Sequence, residues 1–119
     1  MAEVSLDGLH VALPHALDLA EARKRVEEAA RDLSEGSLRK QNPVLETPEP
    51  GKVRLRGKSE RGSHFEAEIE VKETSVEVEI KGALALSMIE VTLAGGQAGV
   101  RRRVQAEVER ALKDRLEAA

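Results

Sequence analysis

Two neighbouring segments in the middle of the chain alternate strictly between apolar and charged residues, and this alternation constrains the fold more than any other feature. The first runs from Phe65 to Lys72 and the second from Val76 to Lys81. A period of two is typical of strands with one buried and one solvated face. Residues 73 and 74 can form a two-residue turn between them. The sequence therefore predicts an antiparallel hairpin.

The register of this hairpin follows from its turn. It pairs Val71 with Val76, Ile69 with Val78 and Ala67 with Ile80. All of these apolar residues then share one side of the sheet, whereas a slip of one residue would turn one set toward solvent. A further strand over residues 52–56 precedes the hairpin. If Lys58 to Gly62 form the loop, Leu55 faces Phe65 on the same buried side.

The two ends of the chain contribute a strand and two helices. Residues 9–13 alternate like a strand that Pro14 terminates. Asp18 and Glu21 form a D-x-x-E capping pattern, which predicts a helix that starts there and stops at Gly36. An apolar stripe with helical spacing predicts a C-terminal helix over residues 97–118.

Two segments are less regular. Residues 36–51 hold three of the four prolines, which predicts a proline-rich surface loop, with an edge strand at Val44 to Glu46 as an alternative. Residues 82–93 are apolar nearly all round, so periodicity allows a buried helix or a buried strand. We favour the helix. Gly95 and Gly96 before the last helix indicate a helix break.

These elements predict an α+β protein in the order β-α-β-β-β-α. An antiparallel sheet of about four strands would carry the N-terminal helix and the long C-terminal helix on one face. At 119 residues, the chain fits a single domain over residues 1–119.

Composition excludes several classes of function. The chain has no cysteine and one aromatic residue, and its net charge is −3. We therefore expect no disulfide or thiol chemistry and no nucleic-acid binding, which favours basic surfaces and stacking aromatics. The N-terminus lacks a signal-peptide pattern and no apolar run could span a bilayer, so we expect a cytoplasmic protein without a transmembrane segment.

The outward side of the predicted hairpin is the first place to look for chemistry. It carries four clustered carboxylates, at Glu68, Glu70, Glu77 and Glu79. Such a cluster could bind a divalent cation or act as a hydrolase or isomerase acid and base, but it is also what an ordinary solvated sheet face looks like. Neither the histidines nor the serines form a catalytic motif. We predict no catalytic residue, no metal site and no cofactor.

Three consecutive arginines, Arg101, Arg102 and Arg103, lie near the start of the last helix. The helix dipole disfavours cations at this end, so the cluster is a candidate for contact with an anionic surface. The alternative is a solvated helix face, because three consecutive positions spread widely around a helix.

Four segments resemble the polyhydroxyalkanoic acid system protein family. They are Leu17 to Arg25 (LDLAEARKR), Gly62 to Val71, Val76 to Ile80 and Val100 to Leu116. The chain departs from the family at Val53 and Leu55, where members carry aromatic residues, and members are generally shorter. The resemblance implies a bacterial accessory protein without enzymatic activity, associated with polyhydroxyalkanoate storage granules through the polymer or a granule protein.

The resemblance also implies a START-like, helix-grip fold. In that fold a long C-terminal helix crosses a curved sheet and can leave an apolar cavity for a lipid or another hydrophobic molecule. Here the cavity would be lined by Phe65, Ala67, Ile69, Val78, Ile80, Val104, Val108 and Leu112. The apolar residues 84–93 would either cover the protein's own core or pair with a second copy, so an oligomer is also possible.

Overall fold

A computed structural model describes residues 2–36 and 38–117. Over these residues the chain forms six strands, three α-helices and one 3₁₀ turn. In chain order these are β1 (Ala2–Ser5), β2 (Leu9–Pro14), α1 (Leu19–Glu35), the 3₁₀ turn (Arg39–Gln41), β3 (Val44–Glu49), β4 (Lys52–Lys58), β5 (His64–Val71), β6 (Ser75–Leu86), α2 (Met88–Leu93) and α3 (Gly96–Leu116). The α+β class is confirmed.

The sheet is antiparallel and six-stranded, in the order β1-β6-β5-β4-β3, with β2 also paired to β6. β6 is twelve residues long. Its first half pairs with β2 and its last four residues pair with β1, so β1 and β2 lie end to end along one edge of β6. The prediction of about four strands was therefore wrong. β1 is only four residues long, too short for its alternation to be recognised.

The preference for a helix over residues 82–93 was wrong for its first half. β6 continues to Leu86, and α2 begins only at Met88. Gly82 makes the continuation possible, since its φ is +117° and a Cβ there would lie 2.2 Å from the carbonyl oxygen of His64. Beyond Gly82 the strand pairs with β1 as far as Leu86 and with β5 only at Ala83, and this part of β6 is buried or half-buried on both faces. Such a strand shows no alternation.

The register of the β5–β6 hairpin is confirmed, with Val71 opposite Val76 and Ala67 opposite Ile80. The register before it was wrong by two residues. Leu55 faces Ala67 and not Phe65, because the loop comprises residues 59–63. A shift of two residues keeps each side chain on its predicted face.

Residues 36–51 are more ordered than a surface loop. They contain the 3₁₀ turn and β3, an edge strand that extends the alternative at Val44 to Glu46 by three residues. The pairing with β4 shifts between Glu46 and Glu49, around Pro48. Proline has no N–H for a ladder, which confines it to such edges and irregularities. Ser37 lies outside the described residues.

The termini of the long helices follow the sequence signals closely. Asp18 caps α1 by accepting a hydrogen bond from the Glu21 N–H at 2.8 Å, and the N–H of Gly36 closes the helix on the Asp32 carbonyl. The Glu21 carboxylate pairs with Arg25. The last helix was predicted over residues 97–118, whereas α3 spans Gly96–Leu116 and is capped by Glu117; residue 118 lies outside the described residues.

Both long helices pack on one face of the sheet. α1 contributes its buried stripe to the main core and α3 contributes Val108, Leu112 and Leu116, against the inward residues of β2, β4, β5 and β6. A second, smaller cluster lies where β1 meets α2 and the start of α3, and its buried members are Val4, Val91 and Val100.

Candidate binding cavity

A cavity of about 230 Å³ lies between the middle of α3 and the inner face of the sheet. Its walls come from α1, α3, β4, β5, β6, the link between β1 and β2, and the segment around the 3₁₀ turn. They are formed by Leu6, Leu33, Leu38, Gln41, Leu55, Phe65, Ala67, Ile69, Val78, Ile80, Leu84, Arg103, Val104, Glu107 and Val108. The lining is therefore apolar except for three side chains.

The structure brings together seven of the eight residues that the resemblance placed around a cavity. Val104 and Val108 stand one helical turn apart on α3 and face β5 and β6, whose inward residues form the opposite wall. The eighth, Leu112, lies one turn further along α3. It is fully buried in the core and does not line the cavity.

Other lining residues were not predicted. Leu55 was assigned to the buried side of a strand, but nothing in the pattern placed it at a cavity. Leu38 and Gln41 belong to a segment expected to be a surface loop. Their positions depend on how the chain returns from α1 to β3, which no local periodicity encodes.

The single aromatic ring fixes one end of the cavity. Phe65 is buried and lies directly across from Gly57 on β4. A Cβ at Gly57 would lie 2.4 Å from Cε1 of Phe65 and 2.6 Å from the carbonyl oxygen of Gln41. Gly57 therefore lets the ring and the 3₁₀ turn approach β4 together. The small side chain of Ala67 leaves space beside the ring.

Half-buried and exposed residues mark the mouth of the cavity. Arg103 is exposed, and Gln41, Val104 and Glu107 are half-buried. Within the described chain, neither the side chain of Arg103 nor that of Glu107 forms an ion pair or a hydrogen bond. The Oε1 atom of Gln41 is buried and has no hydrogen-bond partner. The polar groups of the mouth are therefore unpaired.

The three consecutive arginines have separate surroundings. Arg101 donates to the backbone carbonyl oxygens of Ser5 and Asp7, at 2.8 and 3.0 Å, and so ties α3 to the link between β1 and β2. Arg102 is exposed, and Arg103 is at the mouth of the cavity. They do not form one continuous cationic patch.

Some glutamates of the outer sheet face are paired with cations, whereas Glu70 and Glu79 form no ion pair with a described residue and lie opposite Glu77 and Glu68. Arg54 lies 3.4 Å from Glu66 and 3.5 Å from Glu68. A hydrogen bond and the charge of Lys72 lower the pKa of Glu77 below its ordinary value. Over the described residues, no group of three or more histidine, aspartate or glutamate side chains is arranged to hold a metal ion. The arrangement supports a solvated face whose negative charge is balanced in part.

A wider, open depression of about 850 Å³ crosses the outer face near β1. Its charged lining residues have both signs, at Glu3, Asp7, Arg56, Lys58, Glu66 and Lys81. Arg56 is already paired with Glu46. The depression therefore defines no ligand chemistry.

His15 has a structural role. Its Nδ1 accepts a hydrogen bond from the Leu17 N–H at 3.2 Å, so its Nε2 carries the proton and donates to the Lys72 carbonyl oxygen at 2.8 Å. The ring thus joins the start of α1 to the turn between β5 and β6.

Comparisons with known proteins add no family. No family model, no curated protein and no solved structure matches this chain. The similarity to the polyhydroxyalkanoic acid system family therefore stays a prediction from the sequence. In the part of the chain that the structure describes, no helix has the length and apolar character needed to cross a membrane.

Proposed function

We propose that this protein is a non-enzymatic binder of a hydrophobic small molecule, held in the cavity between α3 and the sheet. The observation that carries the proposal is the cavity itself, with an apolar wall of inward residues from β4, β5 and β6. A long C-terminal helix across an antiparallel sheet, with a cavity between them, is also the arrangement expected of a helix-grip fold.

The size and lining of the cavity support this proposal. Protein interiors are close-packed, so an apolar void of about 230 Å³ forfeits many contacts unless something fills it. Apolar cavities of roughly 150 Å³ can stay dry and accept a molecule such as benzene. A somewhat larger group, such as a medium-length acyl chain, suits the space here.

Filling the cavity tests the proposal. Ala67→Leu should abolish binding of a medium-chain acyl ligand, because the added side chain occupies the same space, and should leave thermal stability equal or higher. Ala111→Leu is the matched control, since Ala111 is half-buried on α3 but does not line the cavity. Binding would be followed by calorimetry and by NMR shifts of β5 and β6 amides. Unchanged binding to Ala67→Leu, or no binding to the unaltered protein, would overturn the proposal.

A second candidate is an accessory protein that associates with polyhydroxyalkanoate granules. The observation that favours it is the exposed apolar surface of α2, where Met88, Ile89 and Leu93 are 64%, 72% and 78% exposed. Large exposed side chains grouped on one helix are typical of interaction surfaces.

Partitioning onto polymer particles tests the second candidate. The unaltered protein should sediment with the particles, and the double variant Ile89→Lys with Leu93→Lys should stay in solution. Val44→Lys is a control that alters an exposed apolar residue on β3. An unaltered protein that remains wholly soluble beside the particles would rule this candidate out.

A further inference from the structure

We propose that the ligand of the cavity is an amphiphile with a carboxylate at one end, and that Arg103 and Gln41 bind this carboxylate at the mouth. The inference rests on the proposed binding function and names the chemical class of the ligand. Three observations support it: an unpaired cation, an unpaired buried amide and the balance of charge around the opening.

Arg103 is the cation in position to bind a ligand head group. It lines the cavity and is exposed at its edge, and its guanidinium has no ion pair or hydrogen bond with any described residue. Arg101 differs, because its guanidinium is already bonded to two backbone carbonyl oxygens. A guanidinium presents two parallel N–H donors that match the two oxygens of a carboxylate.

Gln41 supplies a neutral polar group deeper in the same opening. The Oε1 atom of its amide is buried beside the cavity without a hydrogen-bond partner. Buried polar atoms are nearly always satisfied, so a ligand that pairs with this amide would remove an energetic cost. Rotation of the amide by half a turn presents its NH₂ group, which donates to a carboxylate oxygen.

The balance of charge favours an anion. Arg39 and Lys40 lie in the 3₁₀ turn that carries Gln41, and both are exposed and unpaired among the described residues. Neither of them lines the cavity, whose lining holds one cation, Arg103, and one acid, Glu107, so the excess of positive charge near the mouth comes from the neighbouring turn. The local potential should therefore attract a negatively charged head group while the apolar wall receives its chain.

Three ligands of equal chain length separate the contributions of head and tail. Calorimetry would compare decanoate, decanol and decylamine at neutral pH and low salt. We expect decanoate to bind about tenfold more tightly than decanol, and decylamine to bind most weakly. Added salt should weaken decanoate binding and leave decanol binding nearly unchanged.

Variants of the residues at the mouth test whether they cause the preference for decanoate over decanol. Arg103→Gln should reduce decanoate affinity to that of decanol, without changing decanol affinity. Gln41→Leu should also weaken decanoate. Glu107→Gln should strengthen it, because a nearby like charge is removed. Arg102→Gln is the matched control: it removes the adjacent, exposed charge that does not line the cavity, and it should bind decanoate like the unaltered protein.

The possible results distinguish this inference from the proposed function. If no decyl ligand binds the unaltered protein, the binding function itself is wrong. If decanol or decylamine binds as tightly as decanoate, or if Arg103→Gln binds decanoate unchanged, the cavity binds apolar molecules but the carboxylate inference is overturned. Circular dichroism would establish that each variant is folded.

Discussion

At the scale of single residues, the contact between Gly57 and Phe65 leaves no space for a side chain at position 57. The aromatic ring and the carbonyl oxygen of Gln41 both occupy the space where a side chain at position 57 would begin. No other residue type provides this clearance. The chain's only aromatic residue therefore depends on a glycine in the neighbouring strand.

Gly57→Ala should consequently destabilise the protein, by about 3 kcal/mol, because the new methyl group forces the ring and the 3₁₀ turn apart. The free energy of unfolding from urea titration measures the effect. Lys58→Ala, at the adjacent and exposed position, should change it by less than about 0.5 kcal/mol. Equal denaturation midpoints for the two variants would contradict the packing described for Gly57.

Only some of the residues that line the cavity could be predicted from the sequence. The inward residues of β5 and β6 follow from period-two alternation, so their shared face was predictable without a structure. The unpaired state of Gln41 was not predictable. It depends on the path of the chain after α1 and on the close approach of the turn to β4 at Gly57, neither of which leaves a local sequence pattern.

At the scale of elements, α2 is a short helix that hydrogen bonds at its N-terminus stabilise. Ser87 accepts a hydrogen bond from the Glu90 N–H, and the Glu90 carboxylate accepts from the Ser87 N–H, both at 3.1 Å. Arg61 adds a second donor to that carboxylate at 2.9 Å. These hydrogen bonds, with the Ser87 backbone as the largest cause, lower the pKa of Glu90 to about 2.

The lowered pKa predicts an acid-dependent loss of stability. The folded protein holds Glu90 ionised, so its contribution is complete above the ordinary pKa of 4.5 and is lost as the pH falls toward about 2. Glu90→Gln keeps the cap but cannot titrate. The difference in unfolding free energy between the two proteins should be constant near neutral pH and shrink below about pH 4.5. An NMR titration that gave Glu90 an ordinary pKa would contradict the cap.

The side chain of Arg101 connects α3 to the β1–β2 link by hydrogen bonds. Arg101→Gln removes both hydrogen bonds to the Ser5 and Asp7 carbonyl oxygens and should lower stability by about 1 kcal/mol. Hydrogen exchange should accelerate at the amides of β1 and remain slow in β5. Arg102→Gln serves as the control, and equal exchange in β1 for both variants would count against this role.

Elements differ in how far the sequence determines them. The β5–β6 hairpin and the long helices were predictable because alternation, caps and an apolar stripe agree with their final positions. The β4–β5 register was not, because a loop of five residues admits pairings two residues apart that bury the same face. The end of β6 was missed because a strand buried on both faces carries no alternation.

At the scale of the whole molecule, the two apolar clusters divide the structure unequally. The main core joins both long helices to four strands, whereas the smaller cluster rests on Val4, Val91 and Val100. Leu84 packs against both clusters. The region of β1 and α2 therefore has fewer buried contacts with which to resist opening.

We expect this region to open without global unfolding. Val91→Ala removes two methyl groups from the smaller cluster, and it should accelerate hydrogen exchange in β1 and α2 while β4 and β5 keep the exchange rates of the unaltered protein. Val53→Ala, which alters the main core, should instead lower protection throughout the chain. Uniform acceleration by both variants would show that the two clusters unfold as one unit.

The interrupted edge formed by β1 and β2 limits association between copies of the protein. An exposed strand edge can recruit a strand from another molecule and extend a sheet indefinitely. Here the edge consists of two short strands, β1 with four residues and β2 with six. The link between them interrupts the edge, because Leu6 is buried in the core. The opposite edge, β3, is shifted around Pro48. Neither edge offers a long, regular template, so a concentrated solution of the folded protein should resist fibril growth.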